Sequence, residues 1–245
     1  MFNFFTSKIP LIESEILTDL TDIHSHILPC VDDGSASVED SIHILDTYEN
    51  LGVKKVKFTP HIMENYPKNN ASSLKIEFEK FKSQYKGNIE LSLGAEYMLD
   101  AGFQKHFTEN EVLTITEDHI LVETSFMYPP INIYETISDI MSKGYFVILA
   151  HPERYTYMNV EDYDKLKSMG VLFQMNLQSI IEYYGKEASK KAQYLLKISA
   201  YDFIGTDVHN PRMLEPKFKS AKLDKKTINK ILSVKNRGNL IIDGK

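Results

Sequence analysis

The feature that constrains the fold most is an alternation of short β-branched or apolar runs with longer segments of helical periodicity. This order is typical of repeated βα units around parallel strands. Seven runs are predicted to be strands, namely residues 20–24, 53–59, 89–95, 119–123, 146–150, 171–176 and 202–206. Because 245 residues lie near the upper size of one hydrophobic core, the alternation predicts a single α/β domain.

Glycines mark the ends of three predicted helices, because glycine readily takes the left-handed conformation that ends a helix. These helices span residues 38–51, 131–142 and 160–169, and they end at Gly52, Gly144 and Gly170. Loops rich in Pro or Asn, 62–70 and 124–132, follow the second and fourth strands without starting a new domain, because the alternation then resumes. A lysine-rich stretch, 217–230, is interpreted as the solvated face of a C-terminal helix rather than as a patch for an acidic partner.

Composition and charge exclude several classes of protein. Hydrophobic residues make up 42% and charged residues 25%, as in ordinary globular proteins, and no apolar run is long enough to predict a membrane span. The net charge of -6 argues against a general nucleic-acid-binding protein. Cys30 is the only cysteine, and the first residues lack the pattern of a secretory signal. We therefore expect a cytoplasmic protein without disulfides.

Two histidines stand at the end of the first predicted strand. His24 and His26 lie two residues apart, so their rings point to the same side and can bind one cation. The pair alone is a weak signal, because imidazoles often make ordinary hydrogen bonds. Other ligand-type residues follow the predicted strands in the same way: Asp32, Asp33, His61, Glu96, His151, Asp207 and His209. In a β/α barrel these positions converge on the C-terminal face, where such enzymes have their active sites.

The types of residue at these positions predict the kind of ion. Imidazoles mixed with carboxylates, without thiolates, suit divalent ions such as manganese, iron or zinc. One carboxylate, best Glu96, can bridge two ions at about 3.5–4 Å, the usual spacing in two-metal phosphoryl transfer. The remaining histidines, His43, His106 and His119, fall in or beside predicted elements and are not expected to be ligands. The sequence therefore predicts a catalytic site with several metal ions.

Together, these motifs resemble those of the polymerase and histidinol phosphatase (PHP) superfamily. They are Asp22-Ile23-His24-Ser25-His26, Val31-Asp32-Asp33-Gly34, Thr59-Pro60-His61, Gly94-Ala95-Glu96, Ala150-His151-Pro152-Glu153-Arg154-Tyr155 and Thr206-Asp207-Val208-His209. Their order and spacing resemble the manganese-dependent protein-tyrosine phosphatases of bacterial capsule and exopolysaccharide loci, over about residues 18–212. The resemblance implies a distorted seven-stranded, TIM-like (β/α)7 barrel, with a PHP-type domain at 18–245 after an N-terminal extension at 1–17.

The resemblance also implies three divalent metal ions, with manganese favoured and iron, zinc, cobalt or magnesium as alternatives. The implied ligands are His24, His26, Glu96 and Asp207 for the first ion, Glu96 and His151 for the second, and Asp33, His61 and His209 for the third. Arg154 and Arg212 match positions where the family tends to keep basic residues for phosphate. One departure is Ile62-Met63, where many relatives carry a basic residue directly after the histidine motif.

The implied reaction is hydrolysis of phosphotyrosine by in-line attack of a metal-bound hydroxide, with phosphoryl oxygens held by a metal ion and a guanidinium. A phenolate leaving group, with a pKa of about 10, needs less acid assistance than an alkoxide. Several aromatic residues are candidates either for packing on the substrate ring or for covering the barrel end: Tyr66, Phe126, Tyr128, Tyr155 and Tyr157. By analogy, the protein substrate is an autophosphorylating bacterial tyrosine kinase of polysaccharide export.

Cys30 is not expected to act as the nucleophile of a thiol-based phosphatase. Such enzymes place an arginine shortly after the cysteine, whereas the residues from Val31 to Ser37 include two aspartates and no arginine. Carboxylates at these positions would repel phosphate. The sequence therefore favours chemistry at metal ions.

Three other interpretations stay open. A small-molecule phosphatase of the same superfamily, such as a histidinol phosphatase, would share the fold and the metal ligands. A metal-dependent amidohydrolase also opens with His-x-His, but it usually closes without a pair like Asp207 and His209. A non-catalytic binding module would have to keep unpaired carboxylates crowded together, which is costly. The sequence leaves the oligomeric state open.

Overall fold

Parallel strands alternate with helices along the chain. The computed structural model describes residues 8–109 and 111–244. The strands in these residues are β1 (Lys8–Pro10), β2 (Thr21–Asp22), β3 (Lys55–Phe58), β4 (His61–Ile62), β5 (Glu90–Leu93), β6 (Glu96–Met98), β7 (His119–Glu123), β8 (Phe146–Ala150), β9 (Leu172–Asn176), β10 (Phe203–Gly205) and β11 (Lys222–Asp224). The α-helices are α1 (Val38–Asn50), α2 (Ala71–Gln84), α3 (Phe103–Glu109), α4 (Ile133–Ser142), α5 (Val160–Ser168), α6 (Leu177–Ile180), α7 (Lys186–Lys197), α8 (Lys217–Ser220) and α9 (Lys225–Ile242).

Two parallel sheets form the wall of a barrel. Six strands pair in the order β10-β9-β8-β7-β6-β4, and three pair in the order β2-β3-β5. β3 and β4 are two halves of one barrel strand, as are β5 and β6, because only two residues separate the members of each pair. A bridge between Ser25 and Val208 joins the first barrel strand to the seventh, and His26 N donates to Val208 O at 2.9 Å. The distorted seven-stranded barrel expected from the sequence is therefore confirmed.

The second and third barrel strands continue beyond residues 59 and 95, where the sequence predicts that they end, after a two-residue interruption in each. Pro60, which has no N–H to donate, stands at the first interruption. At the second, Gly94 N donates back to Phe58 O at 2.8 Å. His61 and Glu96 then open β4 and β6 and pair with each other. Both side chains therefore project from strands, rather than from loops that follow strands.

The three predicted helices are confirmed as α1, α4 and α5, with starts or ends that differ by one or two residues. The glycines after them have positive φ, +87° at Gly52, +93° at Gly144 and +89° at Gly170. At the other end, the Ser37 side chain accepts a hydrogen bond from Asp40 N and caps α1. No helix among the described residues is long and apolar enough to cross a bilayer.

The prediction of a single C-terminal helix for the lysine-rich stretch is wrong. α8 ends at Ser220, and β11 pairs antiparallel with β1 before α9 starts at Lys225. Leu223 in β11 is buried, because its side chain packs into the core instead of continuing a solvated helix face. The strand therefore divides the stretch into two helices.

The N-terminal segment packs onto the barrel through this strand pair. Leu11, Ile16 and Leu17 are buried in the same hydrophobic core as the helices around the barrel. The domain boundary expected at residue 17 stays a prediction, and residues 1–7 lie outside the described part of the chain.

Side chains that point into the barrel are apolar in its interior and ionisable at the carboxyl ends of the strands. Leu121 and Ile148, which are paired neighbours, belong to a small buried cluster with Ile23, Ile115, Ala150 and Phe203. Two residues beyond Leu121 stands Glu123, and four residues beyond Phe203 stands Asp207. Since side chains two apart lie on one face of a strand, apolar residues fill the barrel below and ionisable residues gather above them.

Lys57 on β3 is an exception to this separation. Its side chain lies close to the third barrel strand, since a Cβ added at Gly94 would be 3.0 Å from Lys57 Cδ. Burial lowers the pKa of Lys57 to about 8, against a smaller opposing effect of Glu90. A charged amine there therefore destabilises the folded protein at neutral pH.

We expect Lys57→Met to raise the midpoint of thermal unfolding at pH 7, because the unbranched apolar side chain avoids burial of the charge. The folded pKa is depressed, so between pH 8 and about 10.5 the unfolded chain binds more protons than the folded one. The stability of the wild type should therefore rise over that range. The difference in unfolding midpoint between Lys57→Met and the wild type should shrink accordingly. Differential scanning calorimetry at pH 7, 8, 9 and 10 measures it. The control is Lys54→Met at an exposed neighbour; a pH-independent gap for Lys57→Met would contradict the prediction.

Candidate metal centre

The carboxyl end of the barrel gathers the histidines and carboxylates that the sequence singles out. His24 and His26 flank the bridge residue Ser25 and are fully buried. Their Nε2 atoms lie 3.3 Å apart. Because side chains two apart on extended backbone point the same way, the strand directs both rings to one place.

Glu96 lies at the centre of the group. Its Oε2 is 3.1 Å from His24 Nε2 and 3.2 Å from His26 Nε2. The same oxygen is 3.3 Å from His61 Nδ1, and Oε1 is 3.2 Å from His151 Nε2. Four imidazoles from three barrel strands therefore surround a carboxylate that is only 1% exposed.

The end of the seventh barrel strand supplies Asp207 and His209. Asp207 Oδ1 is 3.4 Å from Nε2 of both His24 and His26. Asp33 faces His209, whose Nε2 lies 3.7 Å from Asp33 Oδ1. Asp207 has a φ of +53°, in the left-handed region that non-glycine residues seldom adopt, so the backbone there is strained in favour of this side-chain position.

Within residues 8–109 and 111–244, the potential ligand atoms form three groups in which all atoms lie within 4.8 Å of one another. The groups are His24, His26, Glu96 and Asp207; His26, Asp33, His61 and His209; and His61, Glu96 and Glu123. The first two contain the ligand sets that the resemblance implies for the first and third ions. His151, implied for the second ion, stands outside these groups with its Nε2 facing Glu96.

The other three histidines lie elsewhere. His43 is exposed on α1, and His106 lies on α3. His119 begins β7, at the opposite end of that strand from Glu123, and its Nδ1 is 2.8 Å from Asp118 Oδ1. Their placement agrees with the expectation that they are not ligands.

Sequence reasoning missed Glu123, the last residue of β7. Its Oε1 lies 3.1 Å from His61 Nδ1, and its Oε2 lies 4.0 Å from His151 Nε2. It is 3% exposed, and its pKa is raised by burial and by the neighbouring Glu96. The available signal is its place at the carboxyl end of the fourth predicted strand, the kind of position that identifies the other candidates.

Two buried ligand atoms make no hydrogen bond within the described part of the chain. They are Glu96 Oε1 and His61 Nδ1, although carboxylate or imidazole atoms surround them at 3.1–3.3 Å. A buried polar atom without a hydrogen bond lowers the stability of the folded protein by about 1–3 kcal/mol. Donor atoms that approach one another without hydrogen-bond geometry are arranged as a cation requires. The residues present therefore fit divalent cations.

Opposite charges compensate one another within this cluster. Burial lowers the pKa of His24, but Glu96 and Asp207 outweigh it and raise that pKa to about 9. Burial also raises the pKa of Glu96, but the charge of His24 outweighs it and holds that pKa well below its ordinary value. Imidazolium protons thus supply positive charge that bound cations would replace.

Two acceptors orient the imidazole rings from behind. Asp32 Oδ2 accepts from His26 Nδ1 at 2.9 Å. Gln174 Oε1 accepts from His24 Nδ1 at 2.8 Å and from His151 N at 3.3 Å. Because these oxygens only accept, His24 and His26 carry a proton on Nδ1 and turn Nε2 toward Glu96.

A buried carboxylate connects the two barrel strands that meet at the site. Asp22 Oδ1 accepts from Thr206 N at 3.0 Å and from His24 N at 3.3 Å. Its Oδ2 accepts from Thr206 Oγ1 at 2.6 Å and from Tyr48 OH at 3.1 Å. The ends of the first and seventh strands are therefore held in a fixed relation.

The two arginines that match the family's positions for binding phosphate lie in different surroundings. Arg154 Nη1 donates to Asp207 Oδ2 at 2.5 Å. Its guanidinium carbon lies 4.3 Å from the Phe126 ring centroid and 3.9 Å from that of Tyr184. Arg212 is exposed in a 3-10 turn after β10, outside the lining of the cavity above the ligands. Its contact with phosphate stays a prediction.

A cavity of about 210 Å³ opens above the ligand atoms. Its lining comprises Asp33, His61, Met63, Asn65, Tyr66, Glu96, Met98, Glu123, Phe126, His151, Arg154, Asp207 and His209. Among the aromatic candidates, Tyr66 and Phe126 line it, whereas Tyr155 is fully buried and Tyr128 is exposed outside it. Cys30 lines a different cavity, and its Sγ donates to Ala36 O at 3.1 Å.

Comparison with known protein families shows the family to which this chain belongs. The family model described as capsular polysaccharide synthesis, CpsB/CapC, matches residues 20–241. The chain belongs to the CpsB/CapC family. The matched region contains every member of the three groups of potential ligands described above.

Curated proteins resemble this CpsB/CapC chain over most of its length. Tyrosine-protein phosphatase YwqE of Bacillus subtilis is 26% identical over 197 residues, which cover 78% of each chain. Tyrosine-protein phosphatase CpsB of Streptococcus pneumoniae is 27% identical over 204 residues, which cover 78% of this chain and 83% of CpsB.

Solved structures confirm the fold of this CpsB/CapC chain. A structure from work on YwqE and CpsB, described as unique metal-dependent tyrosine phosphatases, matches with a TM-score of 0.81 and 21% identity, covering 92% of this chain and 95% of the other. A histidinol phosphate phosphatase from Lactococcus lactis matches with a TM-score of 0.52 and 15% identity, covering 90% and 94%. Both likenesses concern the fold alone.

We expect Gln174→Leu to weaken binding of Mn²⁺ to the metal-free protein by about 10- to 100-fold, the usual effect of losing a group that orients a metal ligand. Leucine keeps the volume but removes the acceptor for His24 Nδ1. Isothermal titration calorimetry measures the affinity. Gln178→Leu is the matched control, since Gln178 is equally buried but donates to Met213 O at 3.0 Å. Equal weakening in both variants would show that a general packing defect is responsible.

Proposed function

We propose that this protein is a metal-dependent protein-tyrosine phosphatase. The observation that carries the proposal is the convergence of histidines, carboxylates and Arg154 around one cavity, in a chain of the CpsB/CapC family. The relatives YwqE and CpsB are named tyrosine-protein phosphatases, which favours phosphotyrosine over histidinol phosphate as the substrate.

Three divalent cations, with manganese as the first candidate, agree with the three groups of donor atoms. In this proposal the first ion is held by His24, His26, Glu96 and Asp207 and the third by Asp33, His61 and His209, which belong to two of these groups. Glu96 and Glu123 from the remaining group hold the second ion together with His151, whose Nε2 lies 3.2 Å from Glu96 Oε1 and 4.0 Å from Glu123 Oε2. When bound, such cations withdraw charge from phosphoryl oxygens and lower the pKa of water, so that hydroxide is available near neutral pH.

Buried carboxylates make substrate binding depend on those cations. Glu96, Glu123 and Asp207 lie at the bottom of the cavity and repel a phosphate dianion when nothing neutralises them. Asp32 and Gln174 act behind this layer, because they fix the side of each imidazole that faces the cavity. The chain therefore binds phosphate only in its metal-loaded form.

Arg154 is placed to bind phosphoryl oxygens. Asp207 holds one of its nitrogens, and the rings of Phe126 and Tyr184 restrict the guanidinium plane. The remaining N–H groups make no hydrogen bond to residues 8–109 or 111–244, so they can donate in the paired geometry that phosphate accepts. A phenolate leaving group has a pKa of about 10 and departs with little acid assistance, which suits phosphotyrosine.

The biological context follows from the family. We infer that the substrate is an autophosphorylating bacterial tyrosine kinase that controls capsule or exopolysaccharide synthesis, and that the protein acts in the cytoplasm. The family description, capsular polysaccharide synthesis, supports this assignment.

The decisive experiment is a phosphatase assay on metal-stripped protein, reloaded with one ion at a time. We expect no turnover of a phosphotyrosine peptide without metal, the highest turnover with Mn²⁺, and much weaker turnover of histidinol phosphate. Cys30→Ser should keep most of the activity, whereas His61→Ala and Asp207→Ala should lose at least about 100-fold, because each removes a ligand. A thiol mechanism would reverse this ranking, and a preference for histidinol phosphate would support the small-molecule alternative.

We expect Arg154→Gln to lower kcat/KM for a phosphotyrosine peptide by about 100-fold or more, since a charge-assisted donor to the phosphoryl group is lost. Arg212→Gln, the matched change at the exposed arginine, should alter it by less than about fivefold. Steady-state kinetics with the metal-loaded variants provide the comparison. A larger loss for Arg212→Gln would assign the phosphate contact to Arg212 instead.

A further inference from the structure

The loop after β7 exposes an uninterrupted run of apolar side chains next to the cavity. The exposed fractions are 37% for Phe126, 60% for Met127, 73% for Tyr128 and 98% for Ile131, and Pro129 and Pro130 complete the run. No charged residue occurs in 124–132. Consecutive exposed apolar residues favour aggregation, so their presence on a surface indicates a binding function.

The run begins inside the candidate active site. Phe126 lines the cavity, and its ring centroid lies 4.3 Å from Arg154 Cζ and 5.7 Å from the His151 ring centroid. Met127, Tyr128 and Ile131 follow Phe126 on the same loop, are more exposed than it, and do not line the cavity. The apolar surface is therefore continuous with the place where a phosphorylated side chain would bind.

The base of the loop is held in place before any partner binds. Thr156 donates to Phe126 O through both N and Oγ1, each at 2.9 Å. Thr124 N donates to Tyr155 OH at 3.2 Å. Pro129 and Pro130 restrict two further backbone torsions. Such a loop loses little conformational entropy on binding, so more of the contact energy contributes to affinity.

We propose that Met127, Tyr128 and Ile131, together with the two prolines, form a docking surface for the polypeptide that flanks phosphotyrosine in a protein substrate. The flanking segment is apolar and uncharged, because the docking surface offers hydrophobic area and no charge. The inference rests on the proposed phosphatase function and specifies its substrate class. A phosphorylated metabolite would be contained by the cavity of about 210 Å³ and would gain nothing from an apolar surface outside it.

The test combines Met127→Ser, Tyr128→Ser and Ile131→Ser in one metal-loaded variant. Its substrates are free phosphotyrosine, a phosphotyrosine peptide with apolar flanks and one with acidic flanks. We expect the wild type to prefer the apolar peptide over free phosphotyrosine by about tenfold in kcat/KM, which corresponds to burying roughly 50–60 Å² of apolar surface. The variant should lose most of this preference through KM, and it should keep its turnover of free phosphotyrosine and its inhibition by inorganic phosphate.

Ile76→Ser is the matched control, because Ile76 is 64% exposed on α2 and does not line this cavity. It should leave the peptide preference unchanged. Retention of the preference by the triple variant, or an equal loss on free phosphotyrosine, would overturn the docking proposal. So would analytical ultracentrifugation showing that the surface joins two copies of the chain, with peptide preference unaffected. A wild type that is active on free phosphotyrosine but indifferent to flanking residues refutes docking alone, whereas no activity on any phosphotyrosine substrate refutes the proposed function as well.

Discussion

The active end of this barrel depends on how a set of buried negative charges is neutralised. Glu96, Glu123 and Asp207 are each at most 3% exposed and share one small volume. Their mutual repulsion in a poorly hydrated site is unfavourable unless positive charge lies among them. The surrounding imidazoles supply this charge when protonated, and divalent cations can supply more of it. The same electrostatic balance therefore governs both the stability of this end of the fold and its chemistry.

The scaffold supports this arrangement with several local constraints. Gly205 is required because a Cβ there would lie 2.7 Å from His24 Cβ and 2.9 Å from Gln174 Nε2. His151 has a φ of +33° and Asp207 one of +53°, so two strand ends carry strained backbone at candidate ligands. Strain of this kind persists only where surrounding contacts determine the conformation, and it is common at functional sites. The barrel therefore fixes the donor atoms before any cation arrives.

Sequence patterns predicted the barrel strands and most of the histidines and carboxylates that gather at their carboxyl ends, because both depend on short-range periodicity and on the rule that parallel strands end on one face. They failed where the outcome depends on distant partners. Leu223 was assigned to a helix face, but its segment pairs with β1 more than 200 residues away in sequence. Glu123 was counted within a strand although it ends that strand, and its distance of 3.1 Å to His61 Nδ1 places it with the other candidates. The separate positions of Arg154 and Arg212 likewise follow from the path of the turns, which no local pattern encodes.

The pairing of β1 with β11 bears on where this protein can be shortened. The family match begins at residue 20, yet Leu11, Ile16 and Leu17 fill part of the core, and Lys235 Nζ donates to Thr18 O at 2.7 Å. A chain trimmed to the matched region would leave β11 as an unpaired edge and uncover apolar side chains beneath it. Shortened versions that retain residues 8–19 are therefore the ones suited to expression and crystallisation.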